Sequence, residues 1–124
     1  MQTISRRLFA AAVAVTMSLA PLAYGQGGRY DNARGLVARV QNNLRRAERF
    51  TEPNAKERER YFNAQHHLSQ FDRELAKDKF DKDKLDEAID DVKNIVENNT
   101  LSPEDRDILT ADLRDLRELR RTRG

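Results

Sequence analysis

The sequence predicts an all-α protein, a small antiparallel four-helix bundle, and three observations carry that prediction. Apolar residues recur at steps of three and four in four successive windows, the mark of helices that bury one face. Capping and turn residues punctuate the windows at their starts and ends. The windows span about 17 to 24 residues with connections of about three to five, which favours antiparallel neighbours. A three-helix core, or a helical hairpin with one loose terminal helix, is the rival. No strand-like alternation or Asn-Gly hairpin signal is present.

Residues 1–25 are expected to be a cleavable signal peptide. A charged region ends at Arg6-Arg7, an apolar run covers Leu8 to Ala20, Pro21 breaks it, and Ala23-Tyr24-Gly25 offers a small-x-small site. The run of roughly 13 residues is shorter than the ~20 that span a bilayer. Cleavage after Gly25 and no stable membrane anchor thereafter are the expectations. Ser5-Arg6-Arg7-Leu8-Phe9 resembles the twin-arginine export signal, with Ala10 and Ala11 departing from its last two positions. That resemblance implies export of an already folded protein. No cysteine stands at the cleavage site, which excludes a lipoprotein. The expected location is periplasmic or secreted.

Residues 26–30 read as a flexible leader and 31–124 as a single helical domain. Asp31 is placed to cap a first helix over about 32–50, with Ala33, Leu36, Val37, Val40, Leu44 and Ala47 forming one narrow stripe. Gly35 weakens this helix by about 1 kcal/mol relative to Ala and makes it the loose element of the rival architecture. Pro53 pushes its predecessor away from helical dihedrals and ends the segment.

Asn54 with Glu57 makes a capping box for a second helix running to about Lys77. Tyr61, Ala64, Leu68, Phe71 and Leu75 follow at heptad spacing. Asp81 caps a third helix, with Phe80 and Leu85 at the two positions of a hydrophobic staple. Its stripe of Leu85, Ala88, Ile89, Val92, Ile95 and Val96 runs out at Asn98-Asn99. Ser102-Pro103-Glu104-Asp105 supplies a cap, a first-turn proline and two acids for a last helix over about 103–121. Arg120, Arg121 and Arg123 lie at its negative pole.

Composition then bounds the function. Without Arg6 and Arg7 the chain carries 21 basic and 21 acidic residues over 26–124, so the pI of about 9.1 is no argument for nucleic-acid binding. Only 21 Leu, Ile, Val and Phe stand beside those charges, and the core must be thin. The absence of cysteine excludes a disulfide scaffold, a thiol nucleophile and a cysteine zinc site. Residues 29–49 carry a net charge of +4 and 81–97 a net of −4. Opposite fields favour lateral pairing of the first helix with the third or with the neighbours of the fourth, but exposed pairs contribute only ~0–1 kcal/mol each and do not fix the bundle order.

The chemical constellations are sparse. His66 and His67 are weak metal candidates: adjacent ligands on a helix diverge, and positions i+3 and i+4 hold Ser69, Gln70 and Phe71. A metal would have to recruit a carboxylate from elsewhere. The acids of Asp81 to Glu87 superficially suggest a calcium loop, yet the alternation stops at Leu85 and the turn glycine is missing; capping explains them better. Asp86, Glu87, Asp90 and Asp91 read as a solvent face. No nucleophile elbow and no phosphate-cradling glycine loop exists. No catalytic residue and no cofactor is expected.

Four residues are candidates for partner contact. Phe62 lies well off the stripe of its helix, so it either packs in a second groove, the favoured reading, or serves as an exposed anchor. Arg114, Arg117 and Arg121, with Arg120, form a basic strip in which Asp107, Asp115 and Glu118 are interleaved. Without an aromatic platform the strip is a poor nucleic-acid signal. Asp112 projects into the apolar sector of the last helix and requires the bundle edge or an arginine partner.

Leu101-Ser102-Pro103-Glu104-Asp105 looks faintly like the L-T-x-x-Q motif of small periplasmic helical chaperones and stress sensors, over five residues, with Asp105 in place of the glutamine. The expected function is that of an exported non-enzymatic helical protein acting through protein–protein or envelope contacts, self-association included, with no nucleic-acid partner. The alternatives are a metal-responsive or metal-buffering periplasmic protein using His66 and His67, and a small hydrolase.

Overall fold

Four helices form where the apolar spacing and the caps put them. The structure, a computed structural model, describes residues 28–123, and the signal-peptide expectation lies outside the described residues. The elements are α1 (Asp31–Thr51), α2 (Ala55–Ala76), α3 (Lys82–Asn98) and α4 (Pro103–Arg123). Each helix packs on the next and α4 returns to α1, while the diagonal pairs α1–α3 and α2–α4 make no close backbone contact. This is the four-helix bundle, not the rival three-helix core. Gly35 does not loosen α1, because Ala33, Val37, Val40, Leu44 and Ala47 are all buried along it and that packing outweighs one residue's propensity.

The caps follow the sequence with one correction. Asn54 Oδ1 accepts the Glu57 N–H and Glu57 Oε1 accepts the Asn54 N–H, a complete capping box. Asp81 Oδ1 accepts the Lys84 N–H, and Ser102 Oγ accepts the Asp105 N–H. Asp31, however, is the first helical residue rather than the cap. Tyr30 holds the cap position without a side-chain bond, and Asp31 acts on the helix dipole instead. α2 ends in a Schellman arrangement: the Asp78 N–H reaches Leu75 O and the Lys79 N–H reaches Glu74 O, both at 2.9 Å, with Asp78 at φ 62°.

One continuous apolar core results. Tyr61, Phe71, Leu44, Leu68, Leu85, Ile95, Leu109 and Leu116 are fully buried in it. At one end Phe80 closes the core edge-on to Phe71 (5.3 Å between centroids) and near Tyr30 (5.8 Å), with Arg123 over the Tyr30 ring. The opposite end is polar: Glu57 and Asn99 are buried there, and the Arg60 guanidinium donates to Asn99 Oδ1 at 2.9 Å.

The arginines of α1 do not meet the acids of α3, which sit diagonally across the bundle. Arg34 binds Asp72 of α2, Arg39 binds Asp112 and Asp115 of α4, and Arg46 binds Glu104 and Asp105 of α4. Among the described residues no helix is long and apolar enough to cross a membrane.

Candidate functional site

α2 carries two rows of side chains at helical spacing, and only one of them is spent on the core. The inward row is Tyr61, Ala64, Leu68, Phe71 and Leu75, all buried. At about 100° per residue, Ala55, Glu59, Phe62, His66 and Arg73 line up on the opposite side, and all five are exposed. Ser69 continues this row at its α1 edge, where it accepts a 3.0 Å bond from Gln41 Nε2.

Phe62 is the centre of the outward row. It is 68% exposed, which corrects the expectation that it fills a second groove. It projects from the side of α2 opposite the buried row, outside the seam that Arg34–Asp72 and the Gln65 Nε2 bond to Gln41 O form with α1. The ring instead stacks on His66, 6.1 Å between centroids and 5° from parallel. One turn of helix therefore presents two flat rings to solvent.

The two histidines diverge as the helix geometry requires. His67 turns toward α3, its Nδ1 in hydrogen-bond contact with Asp91 Oδ2 and its Nε2 3.5 Å from Glu87 Oε1. An imidazolium can donate to both. Carboxylates from another helix thus reach His67, but from opposite edges of its ring, and His66 takes no part. Among the described residues no group of three or more His, Asp or Glu side chains is arranged to hold a metal ion.

Packing also engages Asp86 of α3 and part of the basic strip of α4. Asp86 accepts two bonds from Arg120 (2.8 and 3.4 Å), so neither belongs to a free solvent face. Arg121 is held by Glu118 one turn earlier; this pair lowers the Glu118 pKa and raises that of Arg121. Arg114 and Arg117 remain exposed, and neither makes an ion pair among the described residues. Of the four contact candidates, Phe62 lies on α2 and Arg114, Arg117 and Arg121 on the diagonal helix α4, so the bundle does not bring them to one place.

Among the shallow surface depressions, two are mainly polar and one is mainly apolar. One of about 290 Å³ lies between α1 and α2 beside Arg34, Gly35 and Asp72, and one of about 300 Å³ follows Asp90, Asn94 and Glu97 on α3. A third, of about 330 Å³, sits between α1 and α4 over Leu36 and Leu119, rimmed by Arg39 and Glu118. The sequence reading missed Glu59 and Arg73 as companions of Phe62. Their signal was present, since 59, 62, 66, 69 and 73 repeat the three–four spacing on the face the core leaves unused. Comparison with protein families, with curated proteins and with solved structures finds no match to this chain.

Proposed function

We propose that this protein is exported and works without catalysis, as a helical module that contacts another protein through the outward row of α2. One observation carries the reading: the exposed Phe62 ring, held flat against His66 on a well-packed helix. A large aromatic side chain in water forgoes about 1.5–3 kcal/mol of burial, and a stacked, pre-ordered ring delivers that energy to a partner at little entropic cost. The signal-like leader and the highly charged remaining surface fit a protein that stays dissolved outside the cytoplasm.

A photo-crosslinking amino acid at position 62, expressed from the full-length sequence in a bacterial host that exports it, tests the reading. A discrete protein adduct that is lost when the probe is moved to exposed Arg117 supports it. Absence of any adduct at position 62 in cell envelope and medium alike sinks it.

A further inference from the structure

The outward row of α2 is self-complementary, and we infer that its partner is a second copy of this chain, joined as an antiparallel pair of α2 helices related by a two-fold axis at the level of Ala64. The inference rests on the contact reading above and names its occupant.

The row Ala55, Glu59, Phe62, His66, Ser69, Arg73 has the alternating three–four spacing of a coiled-coil seam. Antiparallel pairing about Ala64 sets Phe62 of one copy against His66 of the other, twice, so that the two intrachain stacks merge into a cluster of four rings. The next layers set Glu59 against Ser69 and Ala55 against Arg73. The small Ala55 leaves space for the Arg73 stem to lie over it, bringing that guanidinium within one helical turn of Glu59 of the other copy. Neither Glu59 nor Arg73 has an ion-pair partner within its own chain among the described residues. The uncharged Asn63 and Gln70 flank the row on its α3 side. A parallel pairing would instead oppose Glu59 to Glu59 and Arg73 to Arg73, like charges at both ends of the seam. The interface is isologous and closes at two copies.

A one-helix seam is small beside the ~1,600 Å² of a typical stable interface, so association is expected in the micromolar range. The test is sedimentation equilibrium over a concentration series on the protein recovered from full-length expression, with helicity followed by circular dichroism. A concentration-dependent dimer is expected. Phe62→Ser should weaken it about tenfold or more and leave the thermal melt unchanged at concentrations where the wild type is monomeric, because the side chain is exposed in the monomer. Glu59→Arg and Arg73→Glu should each weaken the dimer, and the combined charge swap in one chain should restore it, since the two-fold rebuilds both pairs. A wild type that stays monomeric to millimolar concentration overturns the inference, as does a dimer indifferent to Phe62→Ser or a folded double swap that fails to recover. If position 62 crosslinks in cells only to a protein of another mass, this inference falls while the contact reading stands. If it gives no adduct and the wild type is monomeric, both fall.

Discussion

Glu57 Oε2 accepts the backbone N–H of Thr100 at 2.6 Å, so the carboxylate that completes the capping box of α2 also ties α2 to the turn between α3 and α4. The same corner is closed from the other side by Asn99 Nδ2 donating to Glu57 O and by the Arg106 guanidinium on the carbonyls of Val96 and Asn99. A single acid thus satisfies donors from two chain reversals, Asn54 three residues before it and Thr100 43 residues after it.

These backbone bonds, first from Thr100 and then from Asn54, hold the Glu57 pKa below its ordinary value of 4.5. A carboxyl depressed in the folded state stabilises the fold above the unfolded value, and that contribution disappears as pH falls through the folded value. The melting temperature of the wild type should therefore drop below pH 4.5 more steeply than that of Glu57→Gln, which is less stable near neutrality. Thermal melts across an acid series check this, and parallel acid limbs for the two proteins would refute it.

Gly35 lies exposed in the second turn of α1, and a Cβ added there meets no atom within 4 Å. The glycine costs backbone entropy without using its freedom. Gly35→Ala is expected to raise stability by about 0.5–1 kcal/mol, a shift of several degrees in a domain this size. A decrease on chemical denaturation would mean that the open groove beside Asp72 is occupied in solution.

The helices and their starts were legible in the sequence because spacing and caps are local. Asn54 with Glu57, Asp81 before Leu85, and Ser102-Pro103 each act within one turn, and all three stand where the sequence puts them. Bundle order was not legible from charge. Residues 29–49 and 81–97 carry opposite fields, yet α1 and α3 are diagonal, because apolar stripes and short connections set the neighbours and charges adapt afterwards. The Asp112 requirement for an arginine was readable, but not that Arg39 meets it, since that depends on how α4 lies against α1. Phe62 was visibly off its stripe. That no second groove receives it depends on how the neighbouring helices pack around α2, which the sequence of α2 does not contain.

Tyr61 is fully buried, and its hydroxyl has no hydrogen-bond partner among the described residues, Asn99 and Thr51 being near enough to act on it but not to bond it. Burial pushes its pKa up, outweighing the opposite pull of the neighbouring Asn99 and Thr51 side chains. An unpaired buried hydroxyl costs desolvation energy with no return, whereas the ring fills the core. Tyr61→Phe should leave stability unchanged or raise it by up to about 1 kcal/mol, while Tyr61→Ala should lose about 3–5 kcal/mol from the cavity it opens. Urea unfolding of the two variants separates ring from hydroxyl; a loss above 1 kcal/mol in Tyr61→Phe would reveal a bond made through water.

Asp112 is, with Asp105, one of two buried carboxylates of the α1–α4 seam. Its side chain is 4% exposed, against 51% for its partner Arg39. Arg39 Nε donates to Oδ1 at 3.2 Å and Asn43 Nδ2 to Oδ2 at 2.7 Å, while the other arm of Arg39 holds Asp115 at 2.6 Å. Those acids raise the Arg39 pKa, Asp115 foremost, so the arginine stays charged at any pH the fold survives. Breaking such a pair from one side strands a buried carboxylate, whereas replacing the acid by an apolar residue removes the need for the pair. Arg39→Ala should cost about 1–3 kcal/mol, a figure limited by the Asn43 bond and by water reaching the half-exposed site. Asp112→Leu, continuous with Leu109 and Leu116 on the same helix face, should be neutral or stabilising by about 1 kcal/mol. In the double variant Arg39→Ala then costs little, giving a coupling of about 1–2 kcal/mol in a denaturation cycle. Strictly additive losses would show that Arg39 works in this seam through Asp115 alone.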